Sequence, residues 1–156
     1  MHRPSLLLIA LVIIAFAFAV PANAQEKKLQ RKDLPPAVEK TVAEQSQGAT
    51  IKGFSTEVEN GKKIYEMALT VNGRGRDVSM DAEGHVLEIE DEVAFDSLSP
   101  PVKEGLTKAA AGGKIGKVES LTKQGKLVAY EAVVTAGTKH HEIQVGPDGK
   151  KLAHPE

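Results

Sequence analysis

The sequence predicts an α+β fold of two tandem αββββ modules, each a short helix packed on a four-stranded antiparallel sheet. Three observations lead there. The chain matches itself at an offset of 64 residues, prolines open a short amphipathic stretch in each copy, and alternating runs broken by turn residues follow.

The repeat is read by direct alignment. Leu34-Pro35-Pro36-Ala37-Val38 meets Leu98-Ser99-Pro100-Pro101-Val102, and the same offset pairs Val42 with Leu106, Gly48 with Gly112, Ile51 with Ile115 and Gly61 with Gly125. One extra residue near the second Gly-Lys turn moves the offset to 65. Tyr65-Glu66 then meets Tyr130-Glu131, Val78 meets Ile143 and Gly84 meets Gly149. A hairpin tip is where a duplicated unit tolerates an insertion. The copies span residues 33–92 and 97–156.

Each copy opens with a helix. Asp33 and Ser97 stand where an N-cap is wanted, and prolines follow in the first turn, where a missing N–H does no harm. Val38 with Val42, and Val102 with Leu106, sit four apart and make a narrow apolar stripe. Gly48 and Gly112 supply the left-handed residue that ends a helix. Helices of about three turns hold only when packed on something. The partner is a set of strands, at 50–58, 62–72, 75–81 and 85–90 in the first copy. Tyr65, Met67, Leu69 and Val71 alternate with Ile64, Glu66, Ala68 and Thr70, the period-two signature of a half-buried strand. Asn60-Gly61, Asn72-Gly73, Asp81 to Gly84, and Gly146 to Gly149 are turns. The stretch 88–96 joins the copies; short and partly apolar, it is expected to let them pack together.

The N-terminus reads as an export signal. His2 and Arg3 precede an unbroken apolar run from Leu6 to Val20, then Pro21 and a small-x-small site, Ala22-Asn23-Ala24, ahead of Gln25. Cleavage is expected between Ala24 and Gln25, giving a periplasmic or secreted protein with a signal peptide over 1–24. The competing reading is an uncleaved anchor, but the run falls short of the ~20 residues a spanning helix needs. Residues 25–32, charged and poor in apolar side chains, read as a flexible leader.

Composition narrows the chemistry. There is no cysteine, so disulfides, thiolate metal sites and cysteine nucleophiles are excluded. Without Arg3 the chain holds 19 basic and 21 acidic residues, a balance that gives no support to a nucleic-acid or anionic-membrane partner. The order of motifs, twice over, resembles the PepSY-like family, related in fold to the β-lactamase-inhibitor-like proteins. Leu34 to Val38, the Asn60-Gly61-Lys62 hairpin with Tyr65-Glu66, and Val78 to Leu87 carry it. Leu98 to Val102, Gly125-Lys126 with Tyr130-Glu131, and Ile143 to Lys150 carry it again. The resemblance implies tandem helix-on-sheet units outside the cytoplasm with no catalytic residues. It implies a non-enzymatic binding module, an inhibitor that restrains a peptidase or another envelope protein through an open sheet face. The inhibitor-like relatives use a concave sheet rich in aromatics. Here the residues beyond the signal hold only Phe54, Tyr65, Phe95 and Tyr130, and no tryptophan.

Glu66 and Glu131, equivalent in the two copies, are contact candidates with Tyr65 and Tyr130; the carboxylates also read as plain sheet-surface residues, and the tyrosines as core. His140 and His141 point to opposite faces of a strand and cannot easily share an ion. His141 and His154 lie opposite one another if the Pro147-Asp148 loop has two residues, and miss if a glycine bulge is present. That pair is the metal candidate, and an envelope small-ligand or metal sensor, with His85 and His140 contributing, is the alternative function. No cofactor is expected. Gly112 to Val118 fails the phosphate-loop pattern, since Ala111 and Val118 stand where glycine and Ser or Thr are required.

Overall fold

The structure is a computed structural model that describes residues 26–156; the signal peptide and the Ala24–Gln25 cleavage point lie outside them. Its strands are β1 (Lys27–Leu29), β2 (Thr50–Glu59), β3 (Lys62–Val71), β4 (Arg74–Met80), β5 (Val86–Glu92), β6 (Lys114–Lys123), β7 (Lys126–Ala136) and β8 (Lys139–Val145). Two α-helices, α1 (Pro36–Gln45) and α2 (Pro100–Ala109), interrupt the strands.

The expectation of two separate four-stranded modules is wrong. All eight strands form one antiparallel sheet in chain order, because β5 pairs with β6 from Glu88↔Lys123 to Glu92↔Glu119. The first part of the stretch read as a joining segment, Glu88–Glu92, is therefore paired strand, and Phe95–Ser97 is a 3-10 turn. Left as an edge, β5 would present a row of unpaired N–H and C=O groups, and β6 satisfies them. After α2 only three strands follow. The fourth shrinks to a single bridge, Val145↔Lys151. The leader also departs from expectation: Lys27–Leu29 pairs with Phe54–Thr56 as an edge strand, and Arg31 forks onto the Glu39 carboxylate of α1 with N–O distances of 2.7–3.1 Å.

Both helices lie on one side of the sheet, each over its own cluster. Leu34, Val38 and Val42 pack on Tyr65, Met67, Leu69, Val78 and Met80. Leu98, Val102 and Leu106 pack on Val118, Ala132 and Val145. The alternation read in β3 holds, with Met67 and Leu69 almost fully buried. The caps do not hold. Pro35 and Ser99 occupy the N-cap positions and no side chain caps either helix. Asp33 instead accepts from the Gln30 N–H at 3.0 Å, and the Ser97 hydroxyl donates to the Ala94 carbonyl at 2.6 Å, each within a 3-10 turn. Pro36 and Pro100, the first residues of the helices, already fix the entry, so the polar side chain serves the preceding turn.

Helix and sheet are also tied by backbone contacts. The Thr41 hydroxyl donates to the Gly84 carbonyl at 2.6 Å, anchoring α1 to the turn before β5. Thr41→Val keeps the shape but leaves that carbonyl without its donor. It is expected to cost about 1–2 kcal/mol, read as a lower denaturation midpoint with an unchanged slope.

Candidate binding face

The side of the sheet away from the helices is built by register. On β3 it takes Glu66 and Ala68, on β4 Asp77 and Ser79, and on β5 Glu88, Glu90 and Glu92. Three rows cross it. The first runs Glu92↔Glu119↔Glu131↔Gln144, from β5 to β8. The second runs Ala68↔Asp77↔Glu90↔Leu121↔Ala129. The third runs Ser55↔Glu66↔Ser79↔Glu88↔Lys123. Leu121, Ala129 and Glu119 are buried in the floor of this face, Glu119 at 5% exposure.

Seven carboxylates thus share a surface with two lysines. Lys117 sits 2.8 Å from Glu119 Oε1, and Lys123 sits 3.2 Å from Glu88 Oε2. Glu92 accepts the Gly75 N–H at 2.9 Å. Like charges directly opposite across strands are destabilising, and Glu92, Glu119 and Glu131 stand so, as do Asp77 and Glu90.

Burial and crowding hold Glu66, Asp77, Glu90 and Glu131 above the usual carboxylate range. Glu90 is pushed up to about 8, first by burial, then by a shared hydrogen bond with Glu88 and the charges of Glu88, Glu119 and Glu131. It is mostly protonated at pH 7. Burial also raises Glu66, helped by the charges of Asp77, Glu26 and Glu57. Asp77 rises through burial and the charge of Glu119, with Lys117 opposing. Glu131 rises through burial, although Gln144 donates to it at 2.7 Å and pulls the other way. For Lys117, burial works against the charge, but the hydrogen bond and charge of Glu119 more than offset it, and the ammonium is held above its usual range.

One carboxylate oxygen each of Asp77, Glu90 and Glu119 lies within 4.8 Å of the others, the one group of three metal-ligating side chains found among the described residues. Calcium takes six to eight oxygens, so the trio alone fills half a shell or less.

Of the residues singled out from sequence, Glu66 and Glu131 lie on this face, in separate rows. Tyr65 and Tyr130 do not. They point to the helix side, Tyr65 inside the first core and Tyr130 against the second. His141 and His154 are not paired. The Gly146 N–H donates to the Lys150 carbonyl and Val145 bridges Lys151, so three residues form the loop and the register shifts by one. That is the bulged alternative. His140 approaches the Thr135 hydroxyl at 3.0 Å, and the His85 ring lies 2.9 Å from Asp81 Oδ2, both at exposed positions. Asp77, Glu88, Glu90, Glu92 and Glu119 were missed. Acids at every second position from Glu88 to Glu92 were the available signal; with the strand ended at 90 and the two copies kept apart, nothing placed Glu119 and Glu131 in line with them.

The fold has solved counterparts. A DUF2874 family protein from Bacteroides ovatus ATCC 8483 superposes with a TM-score of 0.60 at 20% identity, over 77% of this chain and 86% of that one. A BLIP-like protein from Bacteroides fragilis NCTC 9343 gives 0.58 at 20% identity, over 76% and 83%. The fold is BLIP-like. A protein from Bacteroides eggerthii DSM 20697, proposed to be periplasmic, gives 0.63 at 14% identity, over 76% and 86%. No protein-family profile matches the chain, and no curated protein does. The BLIP-like and DUF2874 neighbours match the fold that the resemblance implies and leave its PepSY side to the motifs. At such identities the likeness establishes the BLIP-like fold alone. Among the described residues, no helix is long and apolar enough to cross a membrane.

Proposed function

We propose that this protein is a non-catalytic binding module of the bacterial periplasm, and that its helix-free sheet face takes a protein partner presenting lysine or arginine side chains. The observation that carries the reading is the stacking of carboxylates directly across strands, Glu92–Glu119–Glu131 and Asp77–Glu90. Such an arrangement opposes folding locally, and locally unfavourable choices concentrate at functional sites. An incoming cation relieves the repulsion. A peptidase or other envelope protein is the partner class the sequence resemblance suggests. Periplasmic placement is supported by the export signal and by the description of the B. eggerthii neighbour.

We also read the chain as a duplicated PepSY-like unit. The approach of Ala37 and Thr41 to Gly84 recurs at the repeat offset as that of Pro101 and Gly105 to Gly149, which supports the reading.

The test uses octalysine as probe. At low salt, calorimetry is expected to give micromolar affinity that weakens as salt rises. The Asp77→Asn, Glu90→Gln, Glu119→Gln variant is expected to bind about tenfold more weakly, a difference of ~1.4 kcal/mol. Equal binding by the variant would overturn the assignment. Stoichiometric heat with calcium and none with octalysine would mark the carboxylate trio as a cation site instead.

A further inference from the structure

The segment that follows β8 turns back over the open face. Past the Val145↔Lys151 bridge, the Glu156 N–H donates to Gln144 Oε1 at 2.8 Å, and Glu156 Oε2 lies 3.6 Å from Lys123 Nζ. Gln144 belongs to β8 and Lys123 to β6, so Glu156 spans from one to the other above β7. Glu131, Glu142 and Gln144 share a recess with Leu152, Ala153 and Pro155.

The contacts form a chain. By holding Gln144 Oε1, the Glu156 amide aims the Gln144 Nε2 donor at Glu131 Oε2, 2.7 Å away. Glu131 is thereby satisfied by a neutral amide from its own chain. Lys123, which also meets Glu88 at 3.2 Å, is engaged by the Glu156 carboxylate. Both contacts are at the surface and individually weak. They suit a segment that yields.

We propose that Ala153–Glu156 is a strap that occupies the β6–β8 corner of the acidic face and must leave before that corner accepts a basic partner. The proposal rests on the reading of the face as a binding surface. Release frees Glu131, lets Gln144 turn away, and opens the row Glu92–Glu119–Glu131 at its β8 end.

The experiment compares the full chain, the chain truncated after Leu152, and Glu156→Pro, which keeps the length but removes the donating N–H. Octalysine is expected to bind both altered chains roughly two- to tenfold more tightly than the full chain, the range one net hydrogen bond spans. Glu156→Gln keeps the amide and serves to separate lost charge from lost strap; it is expected to bind no more tightly than the full chain. In parallel, amide exchange of Glu156 and the side-chain amide resonances of Gln144 are followed by NMR without any peptide. Protection of the Glu156 amide, with Gln144 signals that move on truncation, is the expected result. Exchange at the free-peptide rate overturns the strap whatever the peptide does. Octalysine binding that is intact but unchanged or weakened on truncation overturns the occlusion while leaving the face assignment standing. Absence of octalysine binding by every chain overturns the face assignment and the occlusion with it.

Discussion

Gly149→Ala is expected to destabilise the protein by about 3 kcal/mol or more. Two costs coincide there. Gly149 has φ +78°, in the left-handed region, and a Cβ would overlap the Pro101 carbonyl carbon and oxygen well inside the 3.0 Å that Cβ contacts respect. Those are backbone atoms of α2 and cannot swing away. Gly105 faces the same contact from the helix, where a Cβ would overlap the Gly149 carbonyl. The helix docks on the turn after β8 by glycine against backbone, so either substitution lifts α2, with its buried Val102 and Leu106, off Val118, Ala132 and Val145. Gly125→Ala is the control. It has φ +74° with open space around the site, so it carries the conformational cost alone, about 1 kcal/mol. Thermal midpoints are expected to fall by roughly 10 °C for Gly149→Ala and by a few degrees for the control. Equal losses at the two sites would show that α2 does not seat on that turn.

The second large effect is in the pH dependence. Glu90 titrates at about 8 in the fold against an ordinary 4.5. Between those values the folded protein keeps a proton that the unfolded chain has released. The associated stability is complete below about pH 4.5 and is lost as pH rises through about 8. Glu66, Asp77 and Glu131, all raised, push in the same direction. The protein is therefore expected to melt at a lower temperature at pH 8 than at pH 6. Glu90→Gln removes the largest contribution. It is expected to flatten the profile and, allowing for partial exposure of the site, to exceed the wild type at pH 8 by roughly 1 kcal/mol. Parallel profiles for the two proteins would place the repulsion elsewhere.

Local features of the fold were legible because local chemistry sets them. Proline pairs mark the starts of α1 and α2, β3 shows its buried face by alternation, and Gly61, Gly73, Gly84, Gly125 and Gly149 take the positive φ expected of turn glycines. Pairing across the middle was not legible. Alternation says which face of a strand is buried and nothing about which strand lies beside it, and β5 meets β6 only after the chain has passed through α2. The candidate face was hidden for the same reason. Glu92, Glu119 and Glu131 are far apart in sequence and become neighbours only through register, which an irregularity between Ile115 and Val118 also shifts. Glu66 and Glu131 were reached because the repeat aligns them.

The most direct measurement is proton release. Octalysine is titrated calorimetrically into the protein near pH 7.5, in two buffers of different ionisation heat. The octalysine is N-acetylated, so no terminal amine titrates, and its lysine side chains, with pKa about 10.4, stay charged throughout; protons that appear in the buffer come from the protein. If cations settle among the crowded carboxylates, Glu90 must give up its proton and the observed heat must differ between buffers in the sense of release. Binding with identical heats in both buffers, or with proton uptake, would mean that the peptide sits somewhere other than the acidic face.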